Sequence, residues 1–314
     1  LLGHIAVIRA TVAVTQHDAA TIMVQAQRAL AYLHPRNQPV RAAATWALGY
    51  ASFLQGDRAA AAQAYREALG VGEIQERENR LHLAAETYRR ALALAGDPPL
   101  PVACAAHLGL ARIHYAWNDL ATAGQHGQQS RQLAQQIENT DRLAAAELFL
   151  ARLMLAQGDA AGAAALLAEI EPQIHQPHFV LLRPEFTAVQ LLLFLRQGNL
   201  AAAAGLAQTH AVPLCRARAA LAQGDPAAAL VTLTAYRRQT EARGWADERL
   251  KALVLQALAY QELEKGETAV AVLTEALALA VPDGLIRPFV DEGPPLARLL
   301  AVAAVPLGVL LPFG

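Results

Sequence analysis

The chain has 314 residues and a net charge of −1, and 54% of its residues are hydrophobic but only 5% aromatic. So small a net charge gives no global field that would recruit nucleic acid or an anionic membrane. Cys104 and Cys215 lie far apart and supply neither a disulfide framework nor the close spacing of a metal site. A core built mainly of Ala, Leu and Val, with few period-two β-branched runs, predicts an all-α protein.

Short turn signals punctuate the chain at nearly constant intervals. Their third residues are separated by 39, 23, 39, 40, 40, 26 and 42 residues. A repeat of about 40 residues that holds two helices is typical of an α-solenoid, and such proteins usually bind or assemble rather than catalyse. The signals are Gln16-His17-Asp18, Gln55-Gly56-Asp57, Glu78-Asn79-Arg80, Trp117-Asn118-Asp119, Gln157-Gly158-Asp159, Gln197-Gly198-Asn199, Gln223-Gly224-Asp225 and Lys265-Gly266-Glu267.

Small residues recur at fixed distances from these turns. Four residues after the third residue of each signal, the first repeat has Ile22 and the others have Ala61, Ala84, Ala123, Ala163, Ala203, Ala229 and Ala271. Eight residues before it, the chain has Ala10, Gly49, Gly72, Ala111, Ala151, Leu191, Ala217 and Ala259. Small side chains at both places let two helices approach closely. We therefore predict a tetratricopeptide-like α-solenoid superhelix of about eight helical hairpins.

Two steps, of 23 and 26 residues, are too short for a full hairpin. One explanation is a genuine deletion, with helices fused or lost. Our hypothesis is instead that the printed chain closes over missing segments near residues 69–72 and 209–214. No Met opens the chain, so we also expect Leu1 to be an internal start.

The repeat resembles the tetratricopeptide pattern, whose consensus places fall in the second repeat on Leu48, Gly49, Gly56, Ala61, Tyr65 and Ala68. Its longer step makes the chain similar to the helical repeat domain of MalT-like regulators, which are large ATP-dependent transcriptional activators of the LuxR family. The resemblance covers essentially the whole chain. It is sharpest at residues 107–120, HLGLARIHYAWNDL, and at residues 284–293, GLIRPFVDEG.

The resemblance implies an effector-sensing and protein-interaction domain that binds a small-molecule inducer or a partner and helps the regulator to self-associate in the cytoplasm. The chain itself has no G-x-x-x-x-G-K-[ST] phosphate loop and no basic recognition helix. We therefore expect no cofactor and no nucleic-acid contact here, with ATP confined to an upstream domain. A free-standing tetratricopeptide adaptor that grips a peptide or protein partner is the alternative.

A ligand would lie in the concave groove lined by the first helix of each hairpin. Positions seven or four residues before the turn mark face this groove by analogy, and they bring aromatic and guanidinium groups together. Such a strip can stack on a sugar or a planar effector and can bind an anion. The candidates are Trp46, Tyr50, Phe53, Arg112, Tyr115, Arg152, Arg218 and Tyr260. In the alternative interpretation, the aromatic residues fill the hairpin core and the arginines are solvated.

Other residues offer weaker candidates. His175 and His178, with Glu171 nearby, have a spacing that could place two imidazoles on one helical face, but Pro172 and Pro177 break the helix. We predict no metal site. Asp291 and Glu292 have no base or nucleophile near them in the sequence, so we predict no catalysis.

We divide the chain into a helical repeat domain, residues 1–280, and a capping or linker segment, residues 281–314. The apolar side chains of the second part are expected to dock against the final hairpin. They are Leu296, Leu299, Leu300, Val302 and Val305. The longest apolar stretch there, residues 301–313, is too short to span a bilayer.

Overall fold

In the computed structural model, the residues described are 2–16, 18–35, 37–54, 69–93, 102–136 and 140–307, and all regular structure within them is helical. The elements are α1 (Leu2–Thr15), α2 (Ala19–Tyr32), α3 (Gln38–Leu54), α4 (69–77), α5 (Leu81–Ala93), α6 (Val102–Ala116), α7 (Leu120–Gln136), α8 (Thr140–Ala156), α9 (Ala160–Ile174), α10 (Arg183–Arg196), α11 (Leu200–Thr209), α12 (Pro213–Ala222), α13 (Pro226–Arg243), α14 (Ala246–Glu262), α15 (Gly266–Ala280), α16 (Arg287–Val290) and α17 (Pro294–Leu307). Short 3₁₀ turns cover Pro177–Phe179 and Val281–Asp283.

The helices up to α15 form a row of antiparallel hairpins. Within a hairpin the first helix packs on the second, as α6 packs on α7, and each second helix then packs on the first helix of the next hairpin, as α7 packs on α8. The residues that would complete the hairpin begun by α3, 55–68, lie outside the described part of the chain. This arrangement confirms the predicted all-α, tetratricopeptide-like solenoid.

The turn signals work by capping both helices of a hairpin. In five of the signals that the structure describes, the second residue takes a left-handed backbone conformation that ends the first helix, for example Gly158 with φ 88° and Asn118 with φ 65°. The third residue then caps the second helix with its side chain, as when Asp159 accepts a hydrogen bond of 2.8 Å from the Gly162 N–H. A Gly-Asp, Gly-Asn or Asn-Asp pair therefore supplies both functions of this tight turn.

The last turn lies two residues earlier than the sequence predicts. It is formed by Leu263, Glu264 and Lys265, with Glu264 at φ 58°, and Gly266 begins α15 instead of ending α14. The predicted signal Lys265-Gly266-Glu267 was wrong because its glycine looked like the left-handed residue. The earlier turn restores a step of 40 residues from Asp225, and it buries Ala269 where we had expected the exposed Ala271.

The two sets of small residues lie where the helices approach each other. Among the predicted positions that the structure describes, the helix-facing side chains are buried apart from Ala271. Ala61 lies outside the described residues. Small side chains at these positions set the close packing within and between hairpins.

The short interval of 26 residues between Asn199 and Asp225 holds two helices that are shorter than most others. α11 and α12 have 10 residues each, and residues 210–212 join them through a hydrogen bond from the Val212 N–H to the His210 carbonyl. The first short step falls largely on residues 55–68, outside the described part. Whether segments are missing near 69–72 and 209–214 stays a prediction, as does the domain division at residue 280.

The chain after α15 folds back onto the solenoid. Leu296, Leu299 and Leu300 of α17 are buried against α14 and α15, as predicted. Val302 is 60% exposed, so its predicted docking was wrong: it lies off the buried face of α17. The side chain of Val305 lies outside the described residues.

Candidate functional site

Residues 281–293, which we call the C-terminal stretch, lie against three of the predicted groove residues, Tyr115, Arg152 and Arg218. The short helix α16 within the stretch contacts both α6 and α14, which belong to hairpins far apart in the sequence. A segment from the end of the chain thus lies beside first helices of separate hairpins.

The first half of the stretch is fixed to the end of α6. The Trp117 indole N–H donates a hydrogen bond of 2.8 Å to the Asp283 carbonyl, and the Ile286 N–H donates one of 2.8 Å to the Ala116 carbonyl. The Asp283 carboxylate accepts a hydrogen bond of 3.1 Å from the His82 backbone N–H. The Ala116 carbonyl is one of the acceptors that a helix leaves without an internal partner at its C-terminus, so the stretch helps to cap α6.

Asp291 is the centre of a buried charge cluster. The Tyr115 hydroxyl donates to both carboxylate oxygens at 2.9 and 3.0 Å, and Arg152 Nη2 lies 3.2 Å from Oδ2. Arg287 of α16 pairs with the same carboxylate and donates a hydrogen bond of 3.2 Å to Asn118 Oδ1. One carboxylate thus joins α6, α8 and α16.

Two guanidinium groups lie close to the Tyr115 ring. The central carbons of Arg152 and Arg287 are 5.1 and 5.0 Å from the ring centre, within the range of cation–π attraction. Burial is the main cause that raises the pKa of Tyr115, and the Asp291 charge acts in the same direction. The hydroxyl therefore stays protonated and serves as a hydrogen-bond donor.

Glu292 binds the third predicted arginine. Arg218 Nε and Nη2 lie 3.1 and 2.5 Å from Glu292 Oε1, and both side chains are largely buried. The adjacent carboxylates Asp291 and Glu292 therefore neutralise two arginines from different hairpins.

Arg112 remains the most accessible of the predicted arginines. Its Nη2 lies 3.4 Å from Glu185 of α10, and 37% of its side chain is exposed. Glu76 of α4 is close enough for its charge to interact with Arg112, and its carboxylate accepts a hydrogen bond of 2.8 Å from the Tyr88 hydroxyl. Burial raises the pKa of Glu76 to about 7, against the opposing effects of Arg112 and Tyr88.

Other predicted groove residues lie apart from this cluster. The rings of Trp46 and Tyr50 stack with their centres 6.0 Å apart, the Arg90 guanidinium lies 5.7 Å from Trp46, and Tyr50 is buried in the hairpin core. The side chain of Phe53 lies outside the described residues.

Tyr260 borders a different cavity, of about 280 Å³, between α13, α14 and α15. The shifted last turn explains this position, because Leu258 is the residue seven before the actual turn mark. Another cavity, of about 400 Å³, lies between α9, α10 and α11 and includes Phe186, Phe194 and Leu206 in its lining.

The sequence did not indicate Arg287, Asp283 or Glu185, nor did it show that Asp291 and Glu292 have cationic partners. Arg152 and Arg218 are 139 and 74 residues away from those carboxylates. One signal was available. Asp283, Arg287, Asp291 and Glu292 fall in or just before residues 284–293, one of the two segments where the resemblance to the family is sharpest. Helical periodicity and turn chemistry do not predict which distant residues such a segment contacts.

The described residues offer neither a metal site nor a helix for the membrane. In that part of the chain there is no cluster of three or more His, Cys, Asp or Glu side chains suited to a metal ion. Nor does it contain a helix with the length and hydrophobicity needed to cross a membrane.

The fold and its turn chemistry define a tetratricopeptide-like helical repeat protein. The family model of the MalT-like TPR region matches residues 3–71 and 68–305, and the chain belongs to this family. The two matched parts meet at residues 68–71, where one of the two short repeats lies. A comparison with curated proteins found no match.

Proposed function

We propose that this chain is the effector-sensing and protein-interaction domain of a bacterial transcriptional activator of the LuxR family, acting in the cytoplasm. It binds a small-molecule inducer or a partner in the concave groove and couples binding to self-association. Family membership supports the interaction role. Catalysis is not part of this role, and the ATP that such regulators use would bind in an upstream domain.

The observation that carries the proposal is the pairing of Asp291 and Glu292 with Arg152 and Arg218. The groove side chains and the end of the repeat array form one hydrogen-bonded unit. A ligand that moves either arginine therefore moves the C-terminal stretch as well. A coupling of about 1–3 kcal/mol between two such states is typical of allosteric proteins.

Unused donors in the cluster favour a ligand that carries acceptor oxygens. Among the described residues, Arg152 Nε and Arg287 Nε are buried and have no hydrogen-bond acceptor. A sugar hydroxyl or a carboxylate placed beside these two guanidinium groups would satisfy them.

The test compares two arginines that have similar exposure and one glutamate partner each but lie on different helices. Arg112 and Arg131 each pair with one glutamate, at 3.4 and 3.2 Å, and their side chains are 37% and 35% exposed. Arg112 belongs to the groove, whereas Arg131 lies on α7, the second helix of its hairpin. A panel of monosaccharides, oligosaccharides and dicarboxylates would be screened for a rise in the melting temperature of the chain.

We expect at least one probe to raise the melting temperature, and Arg112→Ala to abolish the shift while Arg131→Ala retains it. A probe whose shift survives both Arg112→Ala and Arg152→Ala binds elsewhere, and that result contradicts the groove proposal.

One observation favours the adaptor function as the second candidate. The groove arginines already bind two successive carboxylates of a peptide segment, Asp291 and Glu292. An adaptor of this kind would bind an acidic peptide from a partner. A synthetic peptide with the sequence of residues 287–293 would then bind the Asp291→Ala variant in trans, whereas a sugar sensor would show no such binding.

A further inference from the structure

A glutamine of α14 occupies a position that is apolar in several other hairpins. Gln256 lies nine residues before Lys265, the third residue of the last turn. At the equivalent place of α8, Leu150 is 3% exposed and packs against α7, where a Cβ atom at Gly127 would lie 2.9 Å from it. The position therefore lies between a first helix and the second helix of the preceding hairpin. In chain order it holds Arg9, Leu48, Val71, Leu110, Leu150, Gln190, Arg216 and Gln256.

The two cavities described above are both bordered by these glutamines. Gln190 contributes to the lining of the 400 Å³ cavity, and Gln256 to that of the 280 Å³ cavity. Each cavity lies between a first helix and the second helices on either side of it. Open space thus accompanies glutamine at the position that buried leucines fill in α6 and α8.

The cavity at Gln256 belongs to a regular part of the array. Helices α13, α14 and α15 have 18, 17 and 15 residues, and the step between their turn marks is the usual 40. All residues from 226 to 280 are described. The open space therefore does not result from a shortened repeat.

Gln256 is a buried amide that lacks a partner. The residue is 4% exposed, and its Oε1 atom accepts no hydrogen bond from any described residue. Burying such a group without a partner costs free energy, and folded proteins contain few examples. The amide borders the cavity, and its two ends are similar in size, so rotation of the last side-chain bond turns either atom toward a ligand.

The remainder of the lining favours an uncharged ligand. Arg237 of α13 is already paired, with Nε 2.8 Å from Glu241 and Nη2 2.9 Å from Glu275. Arg238 also borders the cavity, but it is exposed to solvent. The charges at the cavity are therefore paired or solvated, and the buried polar group that remains to be satisfied is a neutral amide.

We propose that this cavity binds a small, neutral, planar molecule with an amide edge, in which an N–H donor lies next to a carbonyl oxygen. Gln256 Oε1 accepts from the ligand N–H, and Gln256 Nε2 donates to the ligand carbonyl, as two amides pair with each other. Tyr260, one turn further along α14, and Val272 of α15 give a flat ring apolar walls. A volume of about 280 Å³ limits the ligand to one or two rings.

The site shares none of the residues that hold the C-terminal stretch, so the inference goes beyond the proposed function. A ligand of one ring makes few contacts and binds weakly. Saturation-transfer NMR, which detects weak binding, would compare 1-methyluracil, 2-pyridone and nicotinamide with 1,3-dimethyluracil. The last compound keeps the flat shape of 1-methyluracil, but its second methyl group removes the N–H.

The variant Gln256→Leu restores the residue that α6 and α8 have at this position, and Gln256→Met is a second variant of similar size. Gln261→Leu is the matched control, because Gln261 is an exposed glutamine of the same helix outside the cavity. Circular dichroism verifies that each variant is folded. We expect wild type and Gln261→Leu to bind at least one of the three amide probes, and both Gln256 variants to bind it at least about tenfold more weakly.

Three results would overturn the inference. If wild type binds none of the three amide probes, the cavity holds water only. Equal binding of 1-methyluracil and 1,3-dimethyluracil would remove the role of the amide edge. Binding that persists in both Gln256 variants would place the probe elsewhere. The groove proposal stands apart from all three, because its own test depends on Arg112 and uses sugars and dicarboxylates.

Discussion

The Tyr88 ring lies directly over Gly109, so close that a Cβ atom at position 109 would be 2.2 Å from ring carbon Cε2. Tyr88 is on α5 and Gly109 on α6, in neighbouring hairpins. The contact lets the largest of the fully buried side chains fill the space between these two helices.

Replacing this glycine should therefore be costly. We expect Gly109→Ala to lower the free energy of unfolding by about 1–3 kcal/mol or more, since the buried ring has no room to move. Gly205→Ala is the matched control, because Gly205 is an exposed glycine in α11 whose Cβ would meet nothing within 4 Å. Urea unfolding should show Gly205→Ala equal to or more stable than the parent, as alanine favours a helix.

Glu264 is a non-glycine residue in a conformation that glycine accepts without strain, with φ 58°. Glu264→Gly should raise the melting temperature, because a left-handed conformation costs an L-residue about 1–2 kcal/mol. Gly158→Ala should lower the free energy of unfolding by a similar amount, because φ at this position is 88°. Its Cβ would meet nothing within 4 Å, so the effect comes from the backbone conformation alone. Equal stability of all three proteins would show that these turns relax when the residue changes.

Glu76 should make stability depend on pH. Its pKa is raised from 4.5 to about 7 in the folded protein, so between these values the folded state binds more protons than the unfolded state. The free energy of unfolding therefore falls as pH rises from about 4.5 to about 7, by at most about 3 kcal/mol.

Glu76→Gln tests this dependence by chemical denaturation across that pH range. The difference in unfolding free energy between wild type and Glu76→Gln should change with pH and level off above pH 8. Glu73→Gln, on the exposed side of the same helix, should show no comparable change. A difference for Glu76→Gln that is flat with pH would contradict the buried carboxyl.

Asp291 should matter for stability well beyond its own loop. Asp291→Ala leaves the buried guanidinium group of Arg287 and the partly exposed one of Arg152 without their shared carboxylate. We expect a cost of about 3 kcal/mol, the lower end of the range for breaking a buried ion pair, because solvent reaches Arg152. Glu267→Ala removes an exposed carboxylate and should cost little. A thermal melt of Asp291→Ala that coincides with wild type would mean that the C-terminal stretch is not held by this cluster.

The repeat was predictable because most of the described turns combine a left-handed residue with a capping side chain, which restricts the sequence to a few residue types. The same rule failed in the last turn, where Glu264 takes the left-handed position and the nearby Gly266 does not. The fixed spacing also placed Arg112, Arg152 and Arg218 on the first helices of three hairpins.

The partners of these arginines could not be predicted. Asp291 and Glu292 reach them only because the chain turns back after α15, and neither helical periodicity nor turn chemistry specifies such a return. Whether the arginines bind an effector, as the sequence suggested, stays a prediction.

The bond between Trp117 and Asp283 spans 166 residues, whereas a repeat array normally has contacts only between adjacent units. Arrays of that ordinary kind fray from either end, one unit at a time. Here the end of α6 is hydrogen-bonded to the residues that follow α15, so the hairpins between them are connected at both ends. Unfolding any one of these hairpins therefore weakens the contact between Trp117 and Asp283. Amide hydrogen exchange should therefore report a single cooperative block from α6 to α17, while α1 and α2 exchange early and independently.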